Sequence, residues 1–187
     1  MSDFLVAHHS GVEVLIAPSR PDHAAVVTNE FLREVYAVLR RMVDVVIVDT
    51  PPGFTPAVIS TIDTATDICM VGMLDALSLK NTKLGLETLE LMGFPRERVK
   101  MVLNRARTRV GISDEDVVAI VDRKPDVLVP SDRDIPRSLT DGAPIVLSKP
   151  QSEASEAFRR LATMLVAPES RPGGGRSRLT RLVGGKS

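Results

Sequence analysis

The chain contains no tryptophan and one tyrosine, and aromatic residues make up only 3% of its 187 positions. That scarcity excludes a base-stacking platform of the kind that holds single-stranded nucleic acid. Cysteine occurs once, as Cys69, so an intrachain disulfide framework is excluded. Cys69 lies in the apolar run Ile68-Cys69-Met70-Val71, which predicts a buried, inert thiol. Charge of one sign is also lacking: 24 basic residues balance 24 acidic ones. Bulk electrostatic binding of nucleic acid is therefore not expected. No apolar run approaches membrane-spanning length, and the first residues do not read as a secretory signal. A reducing cytosol is the expected compartment. What remains is a composition with 43% hydrophobic and 26% charged residues, ordinary for a globular domain with a sizeable core.

Apolar runs alternate with amphipathic segments. Strands are predicted at Val12 to Ala17, Val45 to Asp49, Ile68 to Met73, Val99 to Asn104 and Val127 to Val129. Helices are predicted between them. Thr28 to Met42 places Phe31, Val35, Val38 and Leu39 on one stripe. Thr55 to Ala65 carries Pro56 at its first position. Leu77 to Met92 closes at Gly93 with Pro95 beyond, and Ser113 caps a helix that starts with Asp114, Glu115 and Asp116. Two more are predicted at Ile135 to Asp141 and Glu153 to Val166. Such alternation predicts an α/β fold: a doubly wound, mainly parallel sheet with helices on both faces.

The stretch Val45-Val46-Ile47-Val48-Asp49-Thr50-Pro51-Pro52-Gly53 carries the most chemistry. Its β-branched run predicts a strand buried on both faces, with Asp49 delivered to the carboxyl end, where open α/β sheets bind ligands. An acid there followed by a stiff loop is the Walker B arrangement. The run also fits a plain buried strand stopped by prolines. Asp75 and Ser78 follow the third strand, and Asn104-Arg105 ends the fourth, so these positions are expected to line the same sheet edge. Asn104 offers an amide donor and an acceptor, which together can match a base edge. His8, His9 and His23 have no metal-site spacing and read as surface loop. The arginines from Arg96 to Arg109 read as a solvated face.

The order of these segments resembles the MinD/ParA group of P-loop ATPases, and within it the CpaE/TadZ-type pilus-assembly proteins. Asp49-Thr50-Pro51-Pro52-Gly53 is similar to the group's Walker B and switch segment. Leu77-Ser78-Leu79-Lys80-Asn81-Thr82 resembles the opening of the following helix in the pilus-assembly branch. Val102-Leu103-Asn104-Arg105 resembles its adenine-recognition strand end, and Pro130-Ser131-Asp132 with Asp141-Gly142-Ala143-Pro144 its second base-side loop. The resemblance implies ATP or ADP with Mg²⁺ as cofactors. Asp49 would be the catalytic acid that holds Mg²⁺ through water, Gly53 would sit at the γ-phosphate, and Asn104, Arg105, Pro130 and Asp132 would hold the base.

The group's glycine-rich, two-lysine P-loop is expected before residue 1. The closest local match, Gly184-Gly185-Lys186-Ser187, has Thr180 where the first glycine must stand. Residues 1–167 are therefore expected to be the C-terminal portion of such an ATPase domain, a fragment or truncated paralogue that does not hydrolyse ATP alone. Residues 168–187 are expected to be a flexible basic Gly/Arg/Ser tail. Leu179, Leu182 and Val183 at helical spacing suggest weak membrane contact through 171–187. The resemblance further implies positioning of a pilus-assembly or division machine at a pole or septum. A homodimer across the nucleotide face and a polar or septal partner protein would go with it, and the chain would be cytoplasmic or peripheral at the inner face of the membrane. The alternatives are a catalytically dead scaffold and a ParA-type DNA-partitioning protein.

Overall fold

One turn decides the first part of the fold. In the computed structural model, which describes residues 2–18, 27–106 and 112–166, the His8 amide donates to the Val12 carbonyl at 2.8 Å and the Gly11 amide to the His8 carbonyl at 3.0 Å. Gly11 turns the chain at φ 88°, in the left-handed region. The chain therefore returns antiparallel. Strand β1 (Leu5–Ala7) pairs with β2 (Glu13–Leu15), Leu5 opposite Leu15. The strand predicted from Val12 to Ala17 thus exists over three residues, but in a hairpin and not in a parallel sheet. A short loop can only reverse the chain, whereas a parallel neighbour needs a long crossover.

The chain divides into two units, Met1–Thr64 and Ala65–Ser187. In the first, the Thr28 side chain caps helix α1 (Asn29–Met42) by accepting from the Phe31 amide. Helix α2 (Pro56–Thr64) starts with proline, which lacks only an amide that the first turn leaves unused. The Tyr36 and Thr61 hydroxyls lie 3.0 Å apart and tie the two helices, and Arg40 donates to the Thr64 carbonyl. Between these helices the predicted strand at Val45 to Asp49 does not form. Val45, Ile47 and Val48 are exposed, Ile47 at 89%. A strand is buried by its neighbours, and no described strand pairs with this run.

The second unit holds the parallel sheet. Its elements run β3 (Ile68–Met73), α3 (Ala76–Leu91), β4 (Val99–Ala106), α4 (Asp114–Val121), β5 (Val127–Pro130), α5 (Asp134–Thr140), α6 (Ile145–Ser148) and α7 (Glu153–Leu165). The order in the sheet is β3-β4-β5, with both pairs parallel. Alternation along β4 builds a core on each face. Met101 and Leu103 pack with Leu79 of α3 and with Val117 and Val121 of α4. Val102 points the other way and packs with Val127, Val129 and Ala157 of α7. This is α/β architecture with helices on both faces, as the alternation of segments predicts.

Glycine appears where α3 comes closest. A Cβ on Gly72 would stand 2.4 Å from the Thr82 hydroxyl, so only glycine lets the helix lie this near β3. The end of α3 is a Schellman motif: the Phe94 amide donates to the Leu89 carbonyl, the Gly93 amide to the Glu90 carbonyl, and Gly93 has φ 77°. Cys69 departs from expectation, because it is exposed rather than buried. Cys69, Val71 and Met73 alternate onto the face of β3 opposite α3, and that face is uncovered. The thiol is still partly shielded. This desolvation, with the Asp67 carboxylate beside it, raises its pKa, and Lys100 offsets part of the rise. No described helix is long and apolar enough to cross a membrane.

Candidate functional site

The expected site residues fall in both units. Asp49 and Gly53 belong to the first, and both are exposed. Asp49 sits in a segment without strand pairing, so the sheet edge expected to hold it is not formed by described residues. Gly53 has φ 92°, a conformation that strains any residue with a side chain. The loop then enters α2, where the Thr55 carbonyl accepts from the Ile59 amide and the Thr55 hydroxyl from the Val58 amide at 3.4 Å.

The second unit brings its four residues together. The parallel register sets Ala106 opposite Pro130, and the Ser131 amide donates to the Ala106 carbonyl at 2.9 Å. Asn104, Arg105, Pro130 and Asp132 therefore share one edge, at the carboxyl ends of β4 and β5. The ladder is irregular between Leu103 and Ala106, and Arg105 takes φ 51°, rare for a residue other than glycine. The Asn104 side-chain oxygen accepts from the Arg105 amide at 2.9 Å and holds this bend. Among the described residues neither hydrogen of the Asn104 amide has an acceptor. In the neighbouring loop, Asp132 accepts from the Asp134 amide at 2.8 Å, which rigidifies the start of α5. Strain held at a strand end by a polar side chain is typical of ligand-binding loops.

Asp75 and Ser78 follow β3 at this edge and serve its turn into α3. Asp75 caps α3 by accepting from the Ser78 amide at 2.8 Å, and the Ser78 hydroxyl accepts from the Met73 amide at 2.7 Å. Both side chains thus stabilise the turn from β3 to α3. Met73 was missed by sequence reasoning. It lies opposite Asn104 in the register, and the period-two exposure of 69, 71 and 73 is the signal that could have found it. A cleft of about 320 Å³ lies between α3 and α4, lined by Lys83, Phe94, Arg96 and Arg123 among others. It is at the amino-terminal end of β4, away from Asn104. There Arg123 donates to the Val99 carbonyl and to Asp126 at 3.0 Å, while Asp126 accepts from the Met101 amide at 2.7 Å.

Comparison with known proteins agrees with this architecture. No family model matches the chain. Over 133 residues, 68% of the chain, it is 31% identical to the chloroplastic homologue of the septum site-determining protein MinD from Arabidopsis thaliana. Its fold matches a ParA family ATPase from Chlorobium tepidum at TM-score 0.78, with 18% identity over 88% of this chain and 68% of that one. It also matches the Mg-ADP complex of MinD from Pyrococcus horikoshii at TM-score 0.75, with 22% identity over 89% of this chain and 68% of that one. The chain belongs to the MinD/ParA family. It spans 40% of the length of the chloroplastic relative.

The residues present fit one half of the nucleotide that the family implies. Asn104 stands at a strand's carboxyl end, its amide hydrogens without an acceptor among the described residues, beside the ordered Pro130-Ser131-Asp132 loop, and can hold a base. Asp49 is an exposed carboxylate. Among the described residues no group of three or more His, Cys, Asp or Glu is placed to hold a metal ion. One carboxylate suits Mg²⁺, which commonly keeps several waters and takes phosphate oxygens as further ligands. For the phosphates themselves the 187 residues contain no complete P-loop pattern, since Thr180 stands where its first glycine belongs.

Proposed function

We propose that this chain is the base-binding portion of a MinD/ParA-type nucleotide-dependent positioning protein. The observation that carries the reading is the shared edge of Asn104, Arg105, Pro130 and Asp132. On this reading Asn104 reads adenine with its amide hydrogens, while Arg105 and the Pro130–Asp132 loop bound the base. Asp49 holds a Mg²⁺-bound water and Gly53 lies by the γ-phosphate. When bound, Mg²⁺ would neutralise charge developing on the phosphates. The 187-residue chain supplies no phosphate cradle, so it should not turn over ATP by itself.

The cellular role is positioning of division or pilus-assembly machinery, with a polar or septal protein as partner and a site in the cytoplasm or at the inner membrane face. The septum-site name of the chloroplastic relative supports the division reading. The CpaE/TadZ-like reading rests on Leu77-Ser78-Leu79-Lys80-Asn81-Thr82, the opening of α3. In this segment Ser78 ties the end of β3 and Thr82 packs on Gly72. A second reading, a scaffold without catalysis, is favoured by the exposure of Asp49 outside any strand. Membrane contact through 171–187 lies outside the described residues, as does the flexible character of 168–187, and both stand as proposals.

The test is titration of fluorescently labelled ADP into the 187-residue chain and its Asn104→Ala variant. Weak binding, about millimolar, that Asn104→Ala weakens further is the expected result. Equal affinity in both would remove Asn104 from the site.

A further inference from the structure

Helix α3 turns a line of leucines to solvent. Leu77, Leu84 and Leu91 are 70%, 62% and 88% exposed. Two helical turns separate each from the next, so all three lie on one stripe, opposite the buried Leu79, Thr82, Gly85 and Leu89. Lys80 and Glu87 flank that stripe on the same side, one in each half of the helix. Neither is in an ion pair among the described residues.

The placement of these charges works against the isolated helix. Cations are favoured near a helix C-terminus and acids near its N-terminus. Here Lys80 and Lys83 occupy the N-terminal half, Glu87 and Glu90 the C-terminal half, and the first turn holds no acid. Lys83 also precedes Glu87, the weaker order for a pair four residues apart. The pattern becomes favourable when the helix meets its own copy reversed. A twofold axis at Leu84 sets Leu84 against Leu84 and Leu77 against Leu91 of the partner copy. It also brings Lys80 opposite Glu87, on both sides of the axis.

We propose that α3 is a homodimer contact, in which a second copy of this chain packs its own α3 antiparallel with Leu84 at the centre. The charges commit the geometry: in a parallel pair the twofold runs along the helix axes and puts the Lys80/Glu87 flanks of the two copies on opposite sides, where they cannot pair. One pair of helices buries less than a standard interface, so the dimer is weak and concentration-dependent. It requires no nucleotide and does not depend on the reading of Asn104.

Sedimentation velocity on the full 187-residue chain without nucleotide, from about 10 to about 500 µM, tests it. Self-association is expected in the wild type and should disappear in Leu84→Glu, an exposed substitution whose fold is checked by circular dichroism. Lys80→Glu or Glu87→Lys alone should each weaken association about tenfold, because the symmetry counts every repulsion twice. The double swap Lys80→Glu/Glu87→Lys should restore it. A wild type that stays monomeric throughout would overturn the proposal, as would association indifferent to Leu84→Glu. A double swap no stronger than the single swaps would overturn the antiparallel geometry.

Discussion

Two apolar runs of this chain share a composition and differ in fate. Val45-Val46-Ile47-Val48 and Val99 to Leu103 are both rich in aliphatic residues, and both precede a polar residue, Asp49 or Asn104, with a role in the proposed site. In the second run Met101 and Leu103 are fully buried, each side of β4 covered by a strand and each face by helices. In the first, Ile47 is 89% exposed and no strand pairs with it. The difference teaches that burial belongs to the neighbours. β-branched residues suit a pleated, covered surface but do not create the strands that cover them.

The comparison is broken or sharpened first by truncation. Leu103→Ala should cost about 2–5 kcal/mol, since it empties a core held by α3 and α4. Ile47→Ala should change stability by no more than about 0.5 kcal/mol. Urea unfolding followed at resolved amide resonances of each unit measures both. A large effect at Ile47 would mean that the first run is covered in solution.

Gly72→Ala comes next in size. Its new Cβ meets the Thr82 hydroxyl at 2.4 Å and must push α3 off β3, at a cost of about 1–3 kcal/mol. Gly53→Ala, by contrast, has open space and is strained only through its backbone, so a cost equal to that at Gly72 would contradict the packing account.

Ser113→Ala should cost about 1 kcal/mol, because it removes the cap of α4. The partner of that cap is Asp116. The Ser113 backbone amide, and then the Ser113 hydroxyl, hold its carboxyl below the ordinary range. Its contribution is therefore present above the ordinary carboxylate pKa and lost as pH falls through the lowered value. Protection factors of the α4 amides, corrected for the intrinsic pH dependence of exchange, should fall in acid in the wild type, and that fall should shrink in Asp116→Asn.

The smallest effect is at Cys69. The side chain is exposed, yet its raised pKa keeps the thiol protonated at neutral pH. Iodoacetamide should label it more slowly at pH 7 than a free thiol, and the rate should climb only above the ordinary thiol range. Fast labelling at pH 7 would show that Asp67 and partial burial do not govern it.

Much of the second unit was legible in the sequence, because its signals are local. Gly93 marks the end of α3, Ser113 the start of α4, and the β-branched runs mark β4 and β5. That β4 and β5 deliver their ends to one edge followed from order alone, whereas the base-side roles of Asn104, Arg105, Pro130 and Asp132 came from the family resemblance. What was not legible depends on contacts distant in sequence. The hairpin at His8 to Val12 hides its reversal in one glycine. Cys69 reads as buried because its run is apolar, although β3 has helix cover on one face only. The caps made by Asp75 and Ser78 were not read from the sequence, because nothing in their types separates a capping role from a place lining the edge.

Titration of ADP into the isotopically labelled 187-residue chain, followed by amide chemical shifts, tests the central claim most directly. The account predicts perturbations at Asn104, Arg105, Ser131 and Asp132 that exceed those at Asp49, Thr50 and Gly53, because ADP carries no γ-phosphate and the 187 residues supply no phosphate cradle. Shifts centred on Asp49 and Gly53, or none at Asn104 and Arg105, would contradict it.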